Sequence, residues 1–124
     1  MKPETREWID RASGDLRVAE RELASADPVL HVVCFLAQQA GEKYMKALME
    51  ERSIPPRKTH DLMVLLDLLP DLSAMLEKGM RERIAELGTM GVQARYPGMG
   101  TDRDSAERSV ETSRYLRALV EKLL

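Results

Sequence analysis

Gln38-Gln39-Ala40-Gly41-Glu42-Lys43-Tyr44-Met45-Lys46 decides how the rest of this chain is read. At about 100° per residue, Ala40, Tyr44, Ala47 and Leu48 fall on one side of a helix, while Gln39, Glu42, Lys43 and Lys46 fall on the other. The apolar stripe requires other helices to cover it. The ordered polar side has two readings, a solvated face or the floor of a site. Spacing alone suits the solvated face, because Glu42 and Lys46 stand four apart in the favourable orientation for a surface pair worth about 0.3 kcal/mol.

The helical pattern extends outward from this stretch. Val29 to Ala37 is apolar nearly all round, as in a helix buried on most sides. Asp27 is the expected N-cap with Pro28 at the first helical position, and the pattern then runs to about Arg52, which makes this the central helix. Upstream, Trp8, Ala12, Leu16, Ala19 and Leu23 recur at spacings of four and three, predicting an amphipathic helix that begins near Pro3. Gly14 weakens that helix by about 1 kcal/mol relative to Ala and is expected to mark the close approach of a neighbour.

Downstream, Ser53-Ile54-Pro55-Pro56-Arg57-Lys58 is a loop, since prolines forbid helix and push the preceding residue toward extended geometry. Thr59 is the expected cap of the next helix, with Asp61 adding negative charge to its first turn and Leu62, Leu65, Leu66 and Leu69 forming its buried stripe. Pro70 ends or offsets it, and Leu72, Met75 and Leu76 predict a further short turn before Gly79. Met80 to about Val92 is helical, with Ile84, Leu87 and Gly91 on one side. Gln93 to Asp104 contains Arg95-Tyr96-Pro97-Gly98-Met99-Gly100 and is too rich in Gly and Pro to be regular. Asp102 or Asp104 starts the last helix, whose Ala106, Val110, Leu116, Val120 and Leu123 share a face. With no strand signal, five such segments predict an all-α fold: an antiparallel up-and-down bundle of four to five helices in a single domain over residues 1–124.

The remaining composition narrows the function. Net charge is −2 with acids and bases interspersed, so no overall field draws the chain to a nucleic-acid backbone, and any phosphate recognition must be local. The single Cys34 excludes an internal disulfide and reads as a buried, inert thiol. His31 and His60, the two histidines, form no spaced ligand set, and Gly98-Met99-Gly100 lacks the context of a phosphate loop, so no metal and no cofactor are expected. The residues Met1 to Glu7 lack the apolar core of a signal peptide and no run approaches the ~18 apolar residues of a membrane span, which gives the expectation of a cytoplasmic protein with no membrane partner.

Three polar clusters are candidates for chemistry: the Gln38 to Lys46 side, Lys58-Thr59-His60-Asp61, and Arg95-Tyr96-Pro97. In the plainest reading His60 is a helix-start residue and His31 a packed or interface histidine. Arg95, in a loop between helices, resists so plain a reading, because functional residues concentrate on loops held by rigid scaffolds. Val32, Phe35, Met45 and Met49 lie on or beside the polar side of the central helix, where they either meet a partner or lie under another helix.

The order Gln38-Gln39-Ala40-Gly41-Glu42-Lys43, Lys46-Ala47-Leu48, Lys58-Thr59-His60-Asp61-Leu62 and Arg95-Tyr96-Pro97, with Trp8, Asp15-Leu16 and Ala19 before it, resembles the HEPN family, the "higher eukaryotes and prokaryotes nucleotide-binding" domains. The resemblance spans nearly the whole chain. It implies a helical homodimer that binds nucleotides or RNA, encoded in many prokaryotes beside a minimal nucleotidyltransferase in a toxin–antitoxin-like pair. The ligand-binding residues it suggests are Gln39, Glu42, Lys43, Lys46, Lys58, His60, Arg95 and Tyr96. Many ribonuclease-active members carry a histidine separated from the arginine by four to six residues, whereas the corresponding positions here hold Gly100, Thr101 and Asp102. The expectation is therefore a binding or regulatory partner of a nucleotidyltransferase. One alternative is a metal-independent endoribonuclease in which Arg95 offsets phosphate charge and His60 moves protons. Another is a structural dimerisation module with no ligand.

Overall fold

The computed structural model describes residues 1–55 and 57–124, and the long helices form where apolar residues recur at helical spacing. They run α1 (Pro3–Leu23), α2 (Leu30–Glu51), α3 (Leu62–Asp67), α4 (Pro70–Ala74), α5 (Met80–Gln93) and α6 (Arg103–Leu123). Four are long, and the pair α3 and α4 divides at Pro70, which cannot continue the preceding helix but suits the first position of the next. Among the described residues the fold is the expected all-α antiparallel bundle, with six helical segments of which four are long.

Helix α2 is the axis of the bundle, packing against α1, α3, α5 and α6. Its Ala40, Tyr44, Ala47 and Leu48 are fully buried, as the phase of the sequence predicts. The hydroxyl of Tyr44 is not orphaned, because Ser13 of α1 lies at 2.9 Å. Ala12, Leu16 and Ala19 of α1, Leu65 and Leu69 of the α3 region, Ile84 and Leu87 of α5, and Leu116 and Val120 of α6 complete one core. The start of α1 is tied to the end of α2 through Glu51, which accepts from the Lys2 backbone N–H and the buried Thr5 hydroxyl, both at 3.0 Å.

Local geometry departs from the sequence expectation at several ends. Asp27 does not cap α2: Pro28 stays in the preceding turn, Val29 is the N-cap residue, and its N–H donates to the Glu22 carboxylate at 2.9 Å. Asp61, not Thr59, caps α3, accepting from the Met63 and Val64 N–H groups, because its carboxylate stands at the residue where the backbone is still extended. Asp102 caps α6 through a 2.7 Å bond from the Ser105 N–H. Met45 and Met49 are buried core residues, whereas Val32 and Phe35 stay half-buried.

Two glycines exchange the roles the sequence suggests. A Cβ on Gly14 would meet nothing within 4 Å, so no neighbour approaches there. A Cβ on Gly91 would come 2.6 Å from the Cβ of Gln38, so Gly91 is where α5 closes onto α2.

Candidate functional site

The closure at Gly91 presses α5 against the polar side of α2, and that side is therefore not a solvated face. Glu42 is 3% exposed. Its Oε1 accepts from Gln38 Nε2 at 3.2 Å and its Oε2 accepts from Lys46 Nζ at 3.0 Å. His60 Nδ1 stands 2.9 Å from Oε1 and 3.2 Å from Oε2, so the acceptor-only carboxylate assigns the ring proton to Nδ1. A second bond anchors the same residue, as Gln38 Nε2 also donates to the His60 carbonyl at 3.3 Å.

The segment carrying His60 is held from both neighbours. Thr59 Oγ1 accepts from the Asp61 N–H at 3.1 Å, and Asp61 then opens α3 as its cap. The turn presents the imidazole to α2 through Nδ1 while the side chain stays 65% exposed. Nε2, on the opposite side of the ring, makes no hydrogen bond among the described residues.

The other residues of the polar side divide. Gln39 supports the network by donating to Gln38 Oε1 at 2.8 Å. Lys46 is 16% exposed and serves two neighbours, since its Nζ also lies 5.8 Å from the Trp8 ring centroid. Lys58 lines the same hollow as Lys46 and Trp8. Lys43 turns away to α1, where it pairs with Asp15.

Arg95 and Tyr96 lie where the chain leaves α5. The Arg95 N–H donates to the Val92 carbonyl at 3.1 Å, continuing the helical turn, and the guanidinium carbon stands 5.3 Å over the Phe35 ring. Phe35 and Glu42 are seven residues apart on α2, which places them about 20° apart in phase and roughly 10 Å apart along the axis. The Arg95 station and the His60 station thus share one side of α2 without sharing a cavity. His60 lines a hollow with Met63, Ile84 and Val92. Arg95 and Tyr96 line a cleft of about 380 Å³ with His31, Pro97, Met99 and Thr101.

The arrangement of helices and motifs has known counterparts. A model of the HEPN domain matches residues 5–123. The chain belongs to the HEPN family. That family comprises nucleotide-binding and ribonuclease-like domains. The crystal structure of a protein from Thermus thermophilus aligns over 99% of this HEPN chain and 100% of its own length, at 27% identity and a TM-score of 0.84. An archaeal HEPN homologue aligns over 98% of both chains at 21% identity and a TM-score of 0.68, a likeness of fold. No curated protein matches the chain.

Within this HEPN domain, the structure joins Glu42, Lys46 and His60, places Gln39 and Lys58 beside them, sets Arg95 and Tyr96 at a separate station, and commits Lys43 to α1. His31, expected as a packed or interface residue, is not packed within the bundle: it is exposed and lines the Arg95 cleft. The seven-residue spacing of Phe35 and Glu42 and the glycine at position 91 are the signals from which both stations follow. No residue spacing announces that Trp8, early in α1, stands beside Lys46. Among the described residues, no three His, Cys, Asp or Glu groups are grouped to hold a metal ion, and no helix is long and apolar enough to cross a membrane.

Proposed function

We propose that this HEPN protein binds a nucleotide or an RNA strand along the outer side of α2, and that it serves as the binding or regulatory partner of a minimal nucleotidyltransferase. The supporting observation is the buried Glu42 that fixes His60. Burying a carboxylate costs several kcal/mol unless donors surround it, and here three side chains supply them while the imidazole remains exposed. Nε2 accepts a ribose hydroxyl, and Lys58 and Arg95 stand to either side for phosphate oxygens. Tyr96, 60% exposed, offers a ring to an unstacked base. Amide spectra recorded with millimolar mononucleotides and short RNAs test this. His60→Ala and Arg95→Ala should each weaken binding by about tenfold. Unchanged spectra in all of these titrations would overturn the proposal.

Dimerisation belongs to the same reading. Val32 and Phe35 are half-buried, and Val92, Tyr96 and Met99 are exposed beyond the end of the α2–α5 contact, so a second copy would cover apolar surface there. Light scattering that returns a monomer mass at micromolar concentration would remove this part.

A second reading, endoribonuclease action, rests on His31 in the Arg95 cleft. In that chemistry the 2′-oxygen attacks phosphorus and the 5′-oxygen leaves. A histidine takes the proton from the first and returns it to the second, while Arg95 offsets the charge on the phosphate. Cleavage of structured RNA lost in both Arg95→Ala and His31→Ala, but retained in His60→Ala, would favour it. Loss in His60→Ala and not in His31→Ala would move the proton carrier to His60. Dimerisation with no response to any nucleotide or RNA would leave a structural module.

A further inference from the structure

Between α1, the C-terminal part of α2 and the chain that follows it lies a cavity of about 200 Å³ lined by Trp8, Lys46, Met49, Ile54, Arg57 and Lys58. We propose that this cavity receives a single nucleobase of a ribonucleoside monophosphate, stacked on Trp8, with its phosphate held by Arg57 and Lys58. The proposal rests on the reading of the chain as a nucleotide or RNA binder and adds a base pocket apart from the Arg95 cleft.

Size sets the first limit. Pockets that enclose a drug-sized ligand run to roughly 300–1,000 Å³. About 200 Å³ therefore admits one planar ring system and leaves the charged remainder of a nucleotide at the mouth. The walls set the second. Trp8, Met49 and Ile54 give an apolar slot with an indole face, and stacking on such a ring contributes without regard to base identity. Arg57 and Lys58 are both exposed, and no ion pair among the described residues occupies either. A planar guanidinium beside an ammonium is a phosphate-binding pair.

Two acidic groups fix what lies between. Glu50 lines the cavity as an acceptor, suited to ribose hydroxyls in the way a carboxylate receives the ribose of a dinucleotide. Glu42 holds Lys46 Nζ at 3.0 Å, which keeps Lys46 at the wall of the cavity, 5.8 Å from the indole centroid. The pocket is thus joined to the His60 station through one lysine.

Trp8 is the only tryptophan of the chain, so its emission reports on this cavity and on the neighbouring hollow it lines with Glu4, Glu7 and Arg11. Titrating the full-length protein with AMP should quench that emission saturably in the millimolar range, and adenosine or inorganic phosphate alone should quench far less. Arg57→Gln and Lys58→Gln, at exposed positions, should each weaken the AMP response by about tenfold. An indole N–H signal that shifts in parallel would place the base at the ring. The proposal is overturned if AMP leaves Trp8 emission unchanged at 10 mM (about a hundred times a 0.1 mM protein sample), or if the double variant Arg57→Gln/Lys58→Gln responds like the parent. RNA binding that still depends on Arg95 while Trp8 stays silent would remove this pocket and leave the wider reading standing. Silence of both would remove both.

Discussion

Glu42 on α2 and His60 before α3 are joined by a 2.9 Å bond between a carboxylate that is almost fully buried and an imidazole that is mostly exposed. The bond links the bundle's core to its surface, and its direction matters more than its strength. An acceptor at Nδ1 sets the tautomer, and the tautomer decides what Nε2 offers.

Glu42→Gln keeps the shape of this contact but replaces one carboxylate oxygen by a donor. The imidazole should lose its fixed tautomer, visible as a change in its ring ¹⁵N shifts. Glu42→Ala removes every acceptor and strands Lys46, which is 16% exposed, and should lower stability by about 3 kcal/mol in urea unfolding. An alanine variant as stable as the parent would show that Lys46 finds water in its place.

Gly91 and Gly14 should respond oppositely to alanine. At Gly91 the new methyl group meets Gln38 and either displaces it or parts the two helices, at a cost of about 1–3 kcal/mol. Because Gln38 donates to both Glu42 and the His60 carbonyl, ligand binding at His60 should weaken as well. At Gly14 the methyl meets nothing, and Gly14→Ala should raise stability by up to about 1 kcal/mol through helix propensity. Thermal melts of the two variants would contradict the assignment if both shifted the same way.

How much of this was legible depends on what spacing encodes. The Ala40-Tyr44-Leu48 stripe is a periodic signal, and every member is buried. The polar side was legible as a face but not as a buried one. What meets Glu42 from outside α2 is His60, eighteen residues later, while Gly91 lets α5 close onto its neighbour Gln38. The cap at Asp61 instead of Thr59 follows the same logic, since both side chains have capping chemistry and only the backbone decides which stands at the boundary. Arg95 was found because a Gly/Pro loop is readable. Its cleft partner His31 was not, because an exposed residue at the first turn of an apolar helix looks like an interruption of the pattern.

Cys34 offers a check on the packing of α2. Burial pushes its thiol pKa above the ordinary value, and the negative charges of Asp102 and Glu86 add to the shift. The thiolate is the reactive form, so Ellman's reagent at pH 8 should leave the native protein nearly untouched and react promptly in urea. Fast modification of the folded protein would mean that α2 and α6 part readily.

Asp102 links the last helix to pH. The Ser105 backbone N–H, followed by its hydroxyl, holds the carboxylate below the usual range. A depressed folded value means that the cap stabilises the protein above the unfolded value and that this contribution is lost as pH falls through the folded one. Asp102→Ala should therefore be less stable than the parent at neutral pH. The gap should begin to narrow below about pH 4 and close as pH falls through the lower folded value, where the carboxylate takes up its proton. A gap that persisted unchanged in urea midpoints down to pH 2 would assign the loss to packing rather than charge.

Arg95 provides the test that separates electrostatic binding from a merely structural stack on Phe35. If the guanidinium meets a phosphate, it displaces condensed counterions, and each such contact on a single strand adds about 0.7 to the slope of log affinity against log salt. Arg95→Ala should then flatten that slope by about 0.7 and weaken RNA binding most at low salt. Arg95→Lys keeps the charge without the planar group that lies 5.3 Å over Phe35, and should restore the slope while leaving part of the affinity unrecovered. Equal affinity losses at all salt concentrations, with the slope intact in Arg95→Ala, would confine Arg95 to holding the α5–α6 loop against α2.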